Sequence, residues 1–309
     1  SGSMRDLWPP SKKAPGRFIP HLLLNSTLVE TGQRLIFSDV AITSSPPKPY
    51  FMDAVDAHAL LHKKTKEGAV YYDIPLSTAG HASARFTYSN PPGTLPNGQH
   101  FVDGGYFEDS GATTALELIQ LIETWNDQSS TTGVLFVPVV LVINNDPRTM
   151  PSGGQQHPDN DHAAQKKQAA TESKKTPEEK SEDSPWAPEL LSPPKALMQT
   201  RSSRGAFARR SLYEHQRAAL SSLLLKPNLD SKVLKSFPGL NPSYQDGFGP
   251  AQTPNYIQFS VIKETNGAPL PLGWSLSDAA QDNMDKQITQ EPINADAMAF
   301  MKHWFELIQ

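Results

Sequence analysis

The chain has 309 residues, enough for one large domain or two small ones, and no cysteine, which excludes disulfides, thiolate metal sites and a cysteine nucleophile. Its net charge of -4, with acids interleaved among the bases, excludes the basic footprint of a nucleic-acid binder. With 28 prolines and a mean hydropathy of -0.47, part of the chain must lie outside any core, and no apolar run reaches the roughly 18 residues of a membrane helix. The expectation is a soluble chain whose compartment the sequence does not assign.

Residues 1–19 read as a cloning scar, Ser1-Gly2-Ser3 ahead of Met4, and a Pro-rich lead-in. His21 to Leu28 and Gln33 to Ser38 read as two strands joined by the turn Glu30-Thr31-Gly32. Met52 to His62 carries apolar residues at helical spacing, and Pro75 opens a second helix that runs to Phe86. His100 to Asp103 is a short apolar approach to Gly104 and Gly105. A helix follows, capped by Asp109 or Ser110, with Ala115, Leu118, Ile119, Ile122 and Trp125 on one stripe.

Val134 to Ile143 is an almost unbroken β-branched run, the pattern of a strand covered on both faces, although Pro138 requires an edge position or a bulge. From 146 to 186 the composition turns to Gly, Pro, Gln, Lys, Glu and Ser, which predicts a disordered insertion. Order is expected to resume at Pro188 to Met198 and in a long helix over Arg201 to Leu225. Leu212, His215, Ala219, Leu220 and Leu223 share its face, and its start holds Arg201, Arg204, Arg209 and Arg210, read as a solvated surface. Asn255 to Val261 reads as a strand, and Ser277 to Ile288 and Asn294 to Ile308 as two closing helices. Strands interleaved with helices predict an α/β layered domain: residues 20–145 and 187–309 form its two parts, and 146–186 interrupts them.

The sharpest short feature is Phe101-Val102-Asp103-Gly104-Gly105-Tyr106. An acid at the end of a strand, followed by two glycines that permit a tight turn, sets a carboxylate at the mouth of a sheet, where a general base can meet a substrate. The plain alternative is a turn in which Asp103 bonds its own backbone. Elsewhere, His157, Asp159, Asp161 and His162 cluster in a polar tract without metal-ligand spacing, so neither a metal nor another cofactor is expected. Asn25-Ser26-Thr27 matches a glycosylation acceptor but sits in an apolar strand and reads as structural.

Several ordered segments resemble the C-terminal portion of the patatin-like phospholipases: PHLLLNSTLVETGQRLIFS from Pro20, GHASARF with TYSNPPG from Gly80, FVDGGYFEDSGATTALELI from Phe101, TRSSRGAFA from Thr200 and LPLGWSLS from Leu270. The resemblance spans residues 20 to 290 or so, and each motif alone is modest. It implies a three-layer α/β/α fold, present here in part, and a lipid acyl hydrolase working through a Ser-Asp dyad whose aspartate is Asp103, with Gly104 and Gly105 as the supporting turn.

It also implies a nucleophilic serine in Gly-x-Ser-x-Gly and a glycine-rich oxyanion segment, both upstream of the matching part. Gly80-His81-Ala82-Ser83-Ala84 has the wrong spacing, and Gly273-Trp274-Ser275-Leu276-Ser277 lacks the final glycine. Ser83, between two alanines on a helix, and His81 beside it read as packing and surface residues rather than a replacement nucleophile and base. The expectation is therefore a chain inactive by itself, with a lipid or ester as the parent's substrate and a missing N-terminal segment supplying the serine. Self-association through an exposed strand edge is a further expectation, and a non-catalytic interaction module is the competing reading.

Overall fold

The computed structural model describes residues 20–42, 50–65, 68–71, 73–87, 90–128, 136–144, 187–224, 255–260 and 278–308. The insertion expected over 146–186, the 157–162 cluster and the segment 270–277 lie outside the described residues. The chain mixes helices and strands, which is the α/β class, and divides into two compact units: Ser1–Phe136 with Ala196–Leu212, and Val137–Lys195 with Tyr213–Gln309.

In the first unit, β1 (Leu23–Leu28), β2 (Arg34–Ser38), β3 (Ala54–Asp56), β6 (Gly93–Thr94) and β7 (His100–Asp103) form one sheet in the order β3-β2-β1-β7-β6. The β1–β2 hairpin is antiparallel, as read from the sequence, and turns through Gly32 at positive φ. Only β2 and β3 run parallel. A separate ribbon joins β4 (His62–Thr65) to β5 (Gly68–Tyr71).

The helix expected over Met52 to His62 is a correction. Ala54–Asp56 pairs with Arg34–Ile36 as β3, and only Ala57–Leu60 is helical (α1). Asp56 decides this: its side chain accepts the amides of His58 and Ile42, capping the short helix and binding the strand end to a neighbouring loop. Tertiary pairing overrides a local spacing that was compatible with helix.

The sheet buries both faces. Leu28, Leu35, Phe37 and Phe101 form one cluster with Ala79 and Ala82 of α2 (Leu76–Ser83). On the other, Arg34 reaches Thr114 and Glu117 of α3 (Ala112–Gln128), while Ile36 packs with Ile42, Phe51 and Ala54. The α3 stripe also needs correction, because Ile119 is buried as expected but Trp125 is exposed.

In the second unit, β8 (Val140–Asn144) runs parallel to β9 (Tyr256–Ser260). The helix α5 (Asp278–Gln290) packs on α6 (Pro292–Ile308), and α6 covers β9 through Ile257, Ala297 and Phe300. Asn294 closes the end of β9: its amide group donates to the Ser260 carbonyl and its Oδ1 accepts the Ser260 N–H, both at 2.8 Å. Of the strand expected from Val134, residues 134 and 135 lie outside the described residues, 136–139 are not in a strand, and Val140–Asn144 follows Pro138 and is not covered on both faces, since Leu141 and Ile143 are exposed. The single helix α4 (Ala187–Leu224) replaces the two separate segments expected there. On it Leu212 and Leu220 are buried as expected, joined by Tyr213 and Gln216.

Candidate functional site

Asp103 ends β7, and its backbone is held on both sides. Its N–H donates to the Arg85 carbonyl at 2.9 Å, and its carbonyl accepts the Thr27 hydroxyl at 3.0 Å. Thr27 Oγ1 in turn accepts the Phe107 N–H at 3.1 Å, so one buried hydroxyl on β1 ties together the entry and exit of the turn. Asn25-Ser26-Thr27 is thus structural, as its place in an apolar strand suggested. Gly104 to Tyr106 form one turn of 3-10 helix.

The glycines are required by close approach. A Cβ on Gly104 would overlap the backbone carbonyl of Asn25, and one on Gly105 would overlap the guanidinium of Arg201. Neither has a positive φ, so space rather than conformation selects glycine.

The Asp103 side chain is about one-seventh exposed, at 14%. Its Oδ1 accepts the Gly105 N–H at 2.6 Å, the bond of an aspartate turn, and the same Oδ1 lies 3.6 Å from a terminal nitrogen of Arg201. Both contacts converge on one oxygen. Oδ2 has no partner among the described residues.

Arg201 belongs to the Ala196–Leu212 stretch of α4, about a hundred residues beyond the turn it meets. Its guanidinium stands 5.5 Å from the ring centre of Phe86 and 6.0 Å from that of Tyr106, two rings that stack on each other at 6.1 Å. The Tyr106 hydroxyl bonds to Thr87. Flanked by rings and by a carboxylate, the planar cation is held in one orientation.

The arginine-rich start of this helix is therefore not the solvated face expected from the sequence. Arg201, Gly205 and Arg209 follow i, i+4, i+8 spacing and lie on one stripe against the 103–110 turn. A Cβ on Gly205 would overlap the Asp109 carboxylate, and Arg209, itself buried, reaches Asp109 at 3.9 Å. Arg204 stacks on Phe107, 4.3 Å from the ring centre. Arg204 and Arg210 are exposed, as a solvated face predicts, whereas Arg201 and Arg209 are not. A glycine inside a helical pattern was the available signal, because it marks close backbone approach.

Burial pushes the Asp109 carboxyl above its ordinary range, against the opposing pull of Arg209 and Arg201. Neighbouring Glu108 is the true cap of α3. Its carboxylate accepts the N–H and hydroxyl of Ser110 and, at 3.0 Å, the N–H of Thr113. Ser110 Oγ accepts the Ala112 N–H at 3.2 Å, so one of the two expected caps contributes.

Ser83 ends α2 half-buried and His81 is exposed on the same helix. Neither is bonded to Asp103, and no serine hydroxyl among the described residues is. Among those residues no group of three or more His, Asp or Glu side chains is arranged to hold a metal ion. Comparison of the chain with protein-family models, with curated proteins and with solved structures gives no match in any of the three.

Proposed function

We propose that the chain carries the aspartate half of a Ser-Asp acyl-ester hydrolase site of the patatin-like class, acting on a lipid or other ester. The observation that supports this reading is the asymmetry of the Asp103 carboxylate: Oδ1 is engaged by Gly105 and Arg201, and Oδ2 is open at the carboxyl end of a strand.

Such a carboxylate suits a general base. The serine hydroxyl attacks the acyl carbonyl while its proton passes to Oδ2, the leaving alcohol takes that proton, and an acyl-enzyme remains. Water then attacks the acyl group and gives its proton to Oδ2, and as the bond to the serine oxygen breaks that proton passes to the serine, releasing the acid and restoring the carboxylate. The dyad chemistry uses no cofactor. Gly105 and Arg201 hold the carboxylate in place throughout, and the serine and the donors that stabilise the oxyanion come from outside the described residues. Without oxyanion donors a site loses several kcal/mol of transition-state stabilisation, so the described residues by themselves account for no turnover.

One observation favours the competing reading, a non-catalytic module: the Asp103–Gly105 bond is what a purely structural turn would form. Hydrolysis of p-nitrophenyl butyrate separates the two. The protein is isolated from its own host with everything attached to it or associated with it, as wild type and as Asp103→Asn. Turnover that the substitution abolishes supports the enzyme; turnover insensitive to it, or none in the wild type, leaves the module.

A further inference from the structure

The stripe of α4 that meets Asp103 is only one side of that helix. Around its axis, Thr200, Ser203, Arg204, Phe207 and Ser211 line a second flank, which faces Leu116 and Thr113 of α3 across a groove of about 670 Å³. That volume falls within the ~300–1,000 Å³ of small-molecule sites. Phe107 forms part of the wall, and Phe207 stands 74% exposed along it.

The groove holds one cation, Arg204, and one anion, Glu108, whose carboxylate accepts from Ser110 and Thr113 rather than from the arginine. Arg204 has no carboxylate partner among the described residues; its one contact is the face of Phe107. The guanidinium lies over the Phe107 ring with no acceptor for its N–H groups among the described residues, and such a group takes a carboxylate through two parallel hydrogen bonds.

We propose that this groove binds a small aromatic carboxylate, its anionic end on the edge of Arg204 and its ring along Leu116, Phe207 and Ala208. The two phenylalanine rings of the lining select an aromatic body, and the unpaired guanidinium selects a ligand with one carboxylate, because the charge of Glu108 in the same groove disfavours a second. The site is separate from Asp103, because neither Asp103 nor Arg201 lines the groove. Its occupancy does not depend on whether the chain belongs to an ester hydrolase.

The test is calorimetric titration of the full chain with 2-naphthoate, with its neutral twin 2-naphthalenemethanol and with laurate. Saturable naphthoate binding, absent for the alcohol and weaker for laurate, is expected. Arg204→Gln should weaken it at least about tenfold, the scale of a lost charge-assisted hydrogen bond. Arg204→Lys should restore it only in part, and Phe207→Ser should weaken it about fivefold through lost ring contact. Both positions are exposed, so unchanged thermal melting will show that the variants fold. No naphthoate binding, equal binding of acid and alcohol, tighter laurate binding or an unaffected Arg204→Gln variant would each overturn the proposal.

Discussion

Two arginine–carboxylate constellations in the first unit differ in one respect. Arg34, 1% exposed, is saturated: it donates to Asp53, to Glu117 at 2.7 Å and to Thr114 at 2.8 Å, with Phe107 5.2 Å from its guanidinium carbon. Around Asp103, by contrast, both partners meet one oxygen and the other is left open. All three guanidinium nitrogens of Arg34 are engaged and the cluster joins β2 to α3, although Asp53, like Asp103, meets its arginine with Oδ1 alone. The Asp103 cluster has the same kinds of residue, but its arginine meets one carboxylate, at 3.6 Å, where Arg34 meets two. An open carboxylate oxygen therefore does not by itself mark a site; what sets Asp103 apart is its place at the carboxyl end of β7, ahead of a tight turn that Gly104 and Gly105 make possible.

The comparison breaks most sharply at Arg34. Arg34→Met removes the shared partner of two carboxylates, leaving the partly buried Glu117 with only the Met52 N–H, and should cost about 2–4 kcal/mol of stability in chemical denaturation. Glu117 adds to the strain, because burial already raises its pKa despite the Arg34 bond. A cost below about 1 kcal/mol would place the cluster with ordinary surface pairs.

Next in size is Gly104→Ala. The new methyl meets rigid backbone at Asn25 rather than a movable side chain, so about 1–3 kcal/mol should be lost. Gly105→Ala meets the end of the Arg201 side chain, which can shift, and should cost less. Equal losses at the two positions would mean that Arg201 is as immobile as backbone.

A smaller effect should appear in pH dependence. The folded-state pKa of Asp109 lies above its unfolded value, so the folded chain holds this proton more tightly. The resulting stabilisation is complete below the ordinary aspartate range, near about 3.9, and is lost as pH rises through the raised folded value. Asp109→Asn does not ionise, so its stability relative to wild type should improve across that rise. Parallel denaturation profiles for the two proteins would show that Arg209 and Arg201 fully offset the burial.

The parts of this picture legible in sequence were those with local causes. The β1–β2 hairpin follows from two apolar runs around Gly32, and the turn at Asp103 from an acid before two glycines. What was not legible depended on distant partners. Nothing near Ala54 announces a parallel ladder with Arg34, and nothing near Asp103 announces Arg201. Thr27 was read correctly as structural, yet its bond to the Asp103 carbonyl joins residues 76 apart in sequence. The arginines of α4 were misassigned for the same reason: charge on a helix reads as solvated until the carboxylates and rings opposite are known.

The most direct test of Asp103 as a half-site is fluorophosphonate labelling of the protein isolated from its own host, wild type beside Asp103→Asn. The asparagine oxygen can still accept the Gly105 N–H, and the lost pairing with Arg201 is worth no more than about 1 kcal/mol, so the variant should fold normally. The expected result is a labelled serine in the wild type, on a segment or chain that accompanies Asp103, and loss of that label in the variant. A serine labelled equally in both, or no label in either, would contradict the assignment.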